Sequence, residues 1–224
     1  MKKRILSCLM ALALCLTLLP ATALATDGDH TAADHADPTK FTELKMVGNT
    51  LKKGNSDWTV DADSGYLMLE AGKYYLSTDL TLTDPIGIFG TNVTLCLNSK
   101  TIKYTGAKDY AILVDWDNRT SKNSGHLTLT DCSGNNAGTI KGGSSEVVEL
   151  QADSDLDMYG GTITGSRKGV DFSSEGTEFN MHDGVITGNS GYGVYMTAGT
   201  FNMSGGAITG NHSDDVGGGV AVQK

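Results

Sequence analysis

The chain has 224 residues, 29 of them glycine, and a formal net charge of −9. Its length suits one domain, and glycines that recur every few residues argue against a helical protein. Because phosphate groups repel an acidic chain, we expect no nucleic-acid partner.

The N-terminus has the pattern of a secretory signal peptide. Residues 2–4 are basic, residues 5–19 form an uncharged apolar run, and Ala23 and Ala25 supply the small residues of a cleavage site. The apolar run is shorter than the ~20 residues that a membrane-spanning helix needs. We therefore predict a signal peptide over residues 1–25, a secreted or cell-surface mature protein, and no membrane span in the mature chain.

Residues 26–40 are small, polar and charged. His30 and His35 lie among several aspartates there, so a metal site is conceivable. The segment has almost nothing to bury, however, and such a composition favours disorder. We accordingly predict a disordered linker over residues 26–40, and we assign neither a metal ion nor a cofactor to the chain.

Residues 41–72 lack the repeat that fills the rest of the chain. The phrases FTEL from Phe41, WTV from Trp58 and YLMLE from Tyr66 have the composition of short strands. A solenoid exposes backbone and core at its ends unless a cap covers them. We predict an N-terminal β cap over residues 41–72, with Trp58 or Phe41 packed near Tyr74.

A repeat occupies the rest of the chain. The phrases LDMYGGTITGS, FNMHDGVITGN and FNMSGGAITGN align, and their isoleucines Ile163, Ile186 and Ile208 are 23 and 22 residues apart. Each unit holds three short runs of alternating apolar residues, which is the periodicity of strands. We predict an all-β fold over residues 73–224: a right-handed parallel β-helix, a solenoid with three strands per coil and about six coils of 22–23 residues, plus loop insertions.

Aligning the units predicts which side chains stack inside the coils. Side A stacks Leu76, Leu97, Leu129, Met158, Met181 and Met203. Side B stacks Leu82, Ile102, Ile140, Ile163, Ile186 and Ile208. Side C stacks Ile88, Val114, Leu150, Phe172, Met196 and Val222. The equivalent glycines Gly165, Gly188 and Gly210 are expected at corners that need a positive φ.

Several phrases also carry a family resemblance. The run YYLSTDLTLTDPIGIFGTNVTLCLNSKTI, the phrase LTLTDCSGNNAGTI and the G-x-ITGN…GGGV repeats resemble secreted right-handed β-helix repeat proteins of gut-type Firmicutes, non-catalytic members of the pectate-lyase-like superfold. The resemblance covers roughly residues 73–224. It implies the fold and export, and it implies no particular activity.

Cys96 and Cys132 are the cysteines of the mature chain. The alignment pairs Leu97 with Leu129, which places Cys96 outward beside Thr128 and about 13 Å from Cys132 along the strand. A disulfide needs Cα atoms within about 7 Å of each other. We therefore expect both thiols to react with a thiol reagent in the folded protein, with a bridge made by a folded-back loop as the alternative.

Glu149 and Asp171 are the best, though weak, candidates for catalysis. The register makes them outward neighbours on side C, about 5 Å apart, which fits the carboxylate pair of a retaining glycosidase. Arg167 and Lys168 lie close by. Every coil must carry polar residues outward, however, and the G-H-G and R-I-K motifs of polygalacturonases are missing. We therefore lean towards a protein that is not an enzyme.

The longest insertion, DWDNRTSKNSGH, follows Val114. An aromatic ring among hydrogen-bonding groups is typical of sugar- or peptide-binding loops. The alternative is that Trp116 folds back and covers the edge of the rod. The candidate ligand-binding residues are Asp115, Trp116, Asn118 and Arg119.

The predicted sixth coil is not followed by a segment that would cover it. An uncovered coil presents unpaired backbone groups to another chain. Two explanations fit this pattern: the sequence is a truncated piece of a longer β-helix, which we favour, or the open end self-associates end to end.

Together these observations predict a non-catalytic, adhesin-like β-helix, secreted or on the cell surface. It would present loops and flat sheets to a glycan or to a host or cell-surface protein. The alternatives are a polysaccharide lyase or glycoside hydrolase of the pectate-lyase-like class and a structural spacer.

Overall fold

The computed structural model describes residues 30–115, 124–214 and 217–223. Strands dominate these residues, and the helical part is a short 3-10 helix, Ala32–Ala36. No helix in the described ranges has the length and hydropathy of a membrane span.

The strands follow one another with short connections. The first four are β1 (Thr42–Val47), β2 (Thr50–Lys53), β3 (Ser56–Asp57) and β4 (Leu67–Met68). Coils one to three contain β5 (Gly72–Leu76), β6 (Leu80–Leu82), β7 (Ile86–Phe89), β8 (Asn92–Cys96), β9 (Thr101–Tyr104), β10 (Tyr110–Asp115), β11 (His126–Thr130), β12 (Thr139–Lys141) and β13 (Glu146–Leu150). Coils four to six contain β14 (Asp155–Met158), β15 (Thr162–Thr164), β16 (Lys168–Phe172), β17 (Glu178–Met181), β18 (Val185–Thr187), β19 (Tyr192–Met196), β20 (Thr200–Met203), β21 (Ala207–Thr209) and β22 (Val220–Val222).

In the described part of the chain the strands form three sheets, one for each side of the coil. The side-A sheet has the order β20-β17-β14-β11-β8-β5-β1-β2-β3. The side-B sheet has the order β21-β18-β15-β12-β9-β6, and the side-C sheet has the order β22-β19-β16-β13-β10-β7-β4. Consecutive coils pair in parallel on each side. This is the predicted three-sided parallel β-helix.

The ITGN phrase of the repeat forms the corner between the side-B and side-C strands of a coil. Gly188 has a φ of 64°, a conformation that costs glycine little because it lacks a Cβ atom. The next residue, Asn189, is buried, and its Oδ1 accepts a hydrogen bond from the backbone N–H of Ser166. Its Nδ2 donates to Oδ1 of Asn211 over 2.9 Å. Asn189, in the fifth coil, thus satisfies polar groups of the coils before and after its own.

Most of the predicted stacking rows are confirmed. On side B, Ile140, Ile163, Ile186 and Ile208 pair in register from coil to coil. On side C the whole predicted row from Ile88 to Val222 is in register. These rows enclose a continuous apolar core, and a side chain fully buried in it contributes on the order of 1.5–3 kcal/mol.

The predicted row on side A is wrong in the first two coils. Leu95, and not Leu97, pairs with Leu129. Leu95 in turn pairs with Tyr74, so the row includes Tyr74 and Leu95 in place of the predicted Leu76 and Leu97, whose spacing relative to each other agrees with the observed register. All these side chains are buried. A slip of two residues keeps each side chain on the same face of its strand, so hydrophobic alternation does not distinguish the two registers.

The predicted row on side B has the same error at its start. Ile102 pairs with Leu80, whereas Leu82 pairs with Tyr104. Leu80 and Leu82 are both buried, so the alternation fits either of them. The first coil departs from the later spelling, and its register therefore depends on turns that the repeat does not describe.

The segment before the first coil adds strands to two of the sheets. β1 pairs in parallel with β5 and antiparallel with β2, and β4 pairs with β7. Trp58 and Leu44 join the same buried core as Tyr74. At this end the side-A and side-C sheets finish with β3 and β4, which have two residues each. Such short edge strands offer little template for pairing with another chain.

The sixth coil is the least buried part of the core. Met203, Val220 and Val222 are 46%, 42% and 58% exposed, whereas their counterparts one coil earlier, Met181, Val194 and Met196, are buried. The outer side of this coil therefore presents apolar side chains to solvent.

Candidate functional site

The carboxylates predicted from the repeat lie opposite each other on side C. Glu149 of β13 and Asp171 of β16 are in register. Lys168, which the sequence also placed close by, has its Nζ 2.6 Å from Oδ2 of Asp171 and 2.9 Å from Oε1 of Glu146. Glu146, which the sequence did not single out, is buried. We call these four residues the side-C charge cluster.

Burial shifts the ionisation of this cluster. It raises the pKa of Glu149, and the neighbouring Glu146 and Asp171 charges raise it further. Burial also raises the pKa of Asp171, against the effect of Lys168. Burial alone would lower the pKa of Lys168, but hydrogen bonds to Asp171 and Glu146 outweigh that effect and raise it. The lysine is therefore held as a cation between two carboxylates.

A shallow groove of about 630 Å³ adjoins this cluster towards the sixth coil. Tyr195 pairs with Asp171 in the sheet, and the Lys168 ammonium lies 4.6 Å from the centre of its ring. The ring of Tyr192 lies 5.2 Å from that of Tyr195. The lining residues are Arg167, Lys168, Tyr192, Tyr195, Gly217, Val220, Ala221, Val222 and Gln223. We call this surface the side-C groove.

The candidate loop after Val114 is only partly described. Asp115 is the last residue of β10, is half-buried, and accepts a hydrogen bond on its carbonyl from the N–H of Gly90. Trp116, Asn118 and Arg119 lie outside the described residues. The predicted binding role of this loop therefore stays a prediction.

Side A carries a second charged group, which the sequence did not predict. Nε2 of His126 lies 3.2 Å from Oδ2 of Asp157, and Nε2 of His182 lies 3.8 Å from its other oxygen. The ring of His182 stacks on Tyr159 with the centroids 4.3 Å apart. The hydrogen bond to Asp157 raises the pKa of His126, and the same bond lowers the pKa of Asp157.

The ion pair between His126 and Asp157 should make a pH-dependent contribution to the stability of the fold. The raised pKa of His126 means that the contribution is complete below pH 6.5 and is lost as the pH rises through the folded value. The lowered pKa of Asp157 means that it is lost on the acid side below pH 3.8. We expect His126→Gln to cost up to about 1 kcal/mol near pH 5 and less near pH 9, measured by urea unfolding. His212→Gln, at an exposed pair, is the control, and a His126→Gln cost that grows with pH would contradict the assignment.

Two histidines and two cysteines meet beside the side-A sheet. Nε2 of His30 lies 2.7 Å from Nε2 of His35, and Sγ of Cys96 lies 3.3 Å from Sγ of Cys132. Sγ of Cys132 lies 3.9 Å from Nε2 of His35. One donor atom from each residue lies within 4.8 Å of the others, so these four residues could hold a metal ion. We call them the His–Cys cluster.

The predicted environment of the thiols is wrong. Cys96 pairs with Thr130, not with Thr128, and it is fully buried. Cys132 is two residues beyond Thr130, and the chain turns there, because the buried Asp131 accepts hydrogen bonds from the N–H groups of Ser99 and Gly138. This turn brings Cys132 back to Cys96. The 3.3 Å between the sulfurs is longer than the ~2.05 Å of a disulfide bond, so both are thiols here.

The structure also differs from the linker expectation over residues 30–40. The 3-10 helix lies in this range, and Asp34 accepts a hydrogen bond from the N–H of Thr31 over 2.9 Å. The ring of His35 stacks on Tyr75 at 4.2 Å, and the ring of His30 stacks on Phe41 at 4.4 Å. The segment is therefore fixed by its histidines rather than by apolar residues. The H-x-x-x-x-H spacing, which is common among metal ligands, is the sequence signal that could have indicated this.

Burial governs ionisation in the His–Cys cluster as well. It lowers the pKa of His35 to about 4, helped by the nearby His30. The hydrogen bond to Cys132 raises the pKa of the Cys96 thiol, and burial raises it further. At neutral pH the cluster thus presents a neutral His35 imidazole and a protonated Cys96 thiol.

No protein-family model matches the chain, and no curated protein or solved structure matches it either. The functional assignment therefore depends on the geometry of these sites.

Proposed function

We propose that this chain is a non-catalytic β-helix protein, secreted or on the cell surface, that binds glycans in the side-C groove. The observation that carries the proposal is the pairing of two tyrosine rings with Arg167 and Lys168 on a rigid sheet. Export is part of the proposal; it is supported by the signal-peptide pattern in residues 1–25 and by the resemblance to secreted β-helix repeat proteins.

The groove has the chemical groups that a sugar ring requires. The half-buried ring of Tyr195 can pack its apolar face against the C–H groups of a sugar, and the buried ring of Tyr192 packs beside it. The Tyr195 hydroxyl donates a hydrogen bond to Oε1 of Gln223, another residue that lines the groove. Arg167 is exposed beside the rings and offers a planar set of donors for hydroxyl or carboxylate groups. The groove is open and shallow, which suits a chain of sugars rather than an enclosed small molecule.

The side-C charge cluster supports binding more than catalysis. A retaining glycosidase needs one carboxylate that is available as a nucleophile. Here Asp171 is bound to Lys168, which is bound in turn to Glu146. One observation favours the alternative, a glycoside hydrolase: burial raises the pKa of Glu149, as a general acid requires.

A glycan array probed with the mature chain tests the binding proposal. Any glycan retained there should lose affinity in Tyr195→Ala, by about tenfold or more, or roughly 1.4 kcal/mol. Tyr159→Ala on side A is the matched control and should bind as the wild type does. Absence of binding to any glycan, or equal loss in both variants, would contradict the proposal and favour a structural spacer.

Incubation with uronate polysaccharides, with and without Ca²⁺, tests the enzyme alternative. We expect neither new reducing ends nor unsaturated products. Products that form with the wild type and disappear with Glu149→Gln would overturn the non-catalytic assignment and identify the side-C carboxylates as the catalytic pair.

A further inference from the structure

The His–Cys cluster has the donor set and the spacing of a tetrahedral metal site. Zinc binds sulfur at about 2.3 Å and imidazole nitrogen at about 2.0–2.1 Å. A tetrahedron with those bonds has about 3.8 Å between its sulfurs and about 3.3 Å between its nitrogens. The observed 3.3 Å between Cys96 and Cys132 and 2.7 Å between His30 and His35 are each shorter by roughly half an ångström. Small side-chain rotations would therefore make room for an ion.

The four donors come from three places that the fold holds together. Cys96 ends β8, and Cys132 follows β11 in the turn ordered by Asp131. His30 precedes the 3-10 helix, and His35 lies in its last turn. The cysteines are far apart in sequence, but β8 and β11 are neighbours in the side-A sheet. Parallel stacking of coils thus brings the two cysteines close together, as a short C-x-x-C spacing does in small zinc domains.

Aromatic rings enclose the cluster. Phe41 is buried and lies against His30, and Tyr75 lies flat against His35. Stacking orients each imidazole, so that the two Nε2 atoms face each other and that of His35 faces Sγ of Cys132. His30 and Cys96 are buried, which limits the access of water to the cluster. Four protein donors in a shielded place are typical of structural rather than catalytic zinc.

We propose that His30, His35, Cys96 and Cys132 bind one Zn²⁺ ion, which fastens the N-terminal segment to the second and third coils. This site lies on side A and is independent of the proposed glycan binding on side C. Thiolate and imidazole donors suit Zn²⁺, whereas Ca²⁺ and Mg²⁺ take oxygen donors. The free energy of binding would stabilise a segment that has few apolar residues to bury.

Cobalt substitution is the direct test. The mature chain is reduced, freed of metal with a chelator and titrated with Co²⁺, whose tetrahedral complexes absorb strongly in the visible range and show thiolate charge transfer. We expect one equivalent to bind, Zn²⁺ to displace it, and Ca²⁺ to leave it in place. Cys96→Ser and His35→Ala should each weaken binding by at least ~100-fold, more than changes to residues that only hydrogen-bond to a metal ligand usually do. His182→Ala, a histidine outside the cluster, should bind Co²⁺ as the wild type does.

A second measurement follows the segment itself. Lys40 ends the N-terminal segment and has an exposed side chain, so trypsin can report whether the segment is held. We expect cleavage after Lys40 to be slow with Zn²⁺ and fast without it in the wild type, and fast under both conditions in His30→Ala. Far-UV circular dichroism should be the same for both proteins, because His30 lies outside the coils.

The main competitor is a Cys96–Cys132 disulfide. In that case the isolated protein would contain no zinc, and its thiols would react only after reduction. Failure of the reduced wild type to bind Co²⁺ overturns the zinc site. So does a tetrahedral Co²⁺ spectrum that both His30→Ala and His35→Ala retain at full affinity, since the histidines would then not be ligands.

Discussion

Replacing Ile186 with Asp should destabilise the β-helix by several kcal/mol. Ile186 is fully buried on side B, with Ile163 and Ile208 as its partners in the neighbouring coils. An aspartate there would place a charge among apolar side chains without a compensating partner. Domains of this kind are stable by about 5–15 kcal/mol, so the loss would be a large fraction of the total. In a solenoid it would also disrupt the contacts that the fifth coil makes with the fourth and with the sixth.

Thr187→Asp provides the matched control. Thr187 is the next residue of β18, on the opposite face, and it is half-buried between Thr164 and Thr209. The same charge one position along should change stability by about 0.5 kcal/mol or less. Urea unfolding followed by circular dichroism measures both variants. Equal midpoints for Ile186→Asp and the wild type would show that this face of β18 is not the buried one.

The different positions of Ile186 and Thr187, one facing the core and the other facing outward, follow from a strand register that the sequence predicts well. From the fourth coil onwards each repeat has nearly the same spelling, so one alignment fixes the register of side B and side C together. The chain repeats its turns as well as its apolar residues, and the ITGN corner places Asn189 and Asn211 in equivalent positions. When turns and alternation agree, a slip of two residues is excluded.

The same reasoning fails in the first two coils because the turns there are different. Asn98 and Ser99 both adopt a positive φ, so the turn that follows β8 has no counterpart in the later coils. Leu95 and Leu97 are then equally good partners for Leu129 as far as hydrophobicity is concerned. The side chain between them, Cys96, points away from the core, yet it is fully buried because another segment covers it.

The His–Cys cluster could not be predicted from local patterns for a related reason. Its histidines lie in a polar segment whose composition favours disorder, and its cysteines are 36 residues apart. Proximity arises only after the coils are stacked in the correct register. With Leu97 in place of Leu95, Cys96 would lie beside Thr128, and the turn at Asp131 would be too far along the strand. Because the predicted register of β8 against β11 was wrong by two residues, the sequence did not indicate that these four residues lie close together.

Replacing Trp58 with Ala should have the second large effect, about 3–5 kcal/mol, which is usual for removing a buried tryptophan. Trp58 is only 4% exposed, and its Nε1 donates a hydrogen bond to the carbonyl of Met68 over 3.1 Å. Its backbone N–H donates to the carbonyl of Leu51. Trp58 thus connects β2 to β4, and losing its side chain would break the bond to β4 and leave a cavity in the core that this segment shares with the first coil.

Trp58→Ala should also promote aggregation, in addition to lowering stability. If β1 detaches, the edge of β5 becomes available for pairing with another chain. We therefore expect Trp58→Ala to unfold at a lower urea concentration and to aggregate as it does so, measured by circular dichroism and light scattering. Val60→Ala, in the same segment but at a residue that is 38% exposed, should behave as the wild type does. A Trp58→Ala protein that is as stable and as monomeric as Val60→Ala would mean that the coils hold together without this segment, and that residues 41–72 do not act as a cap.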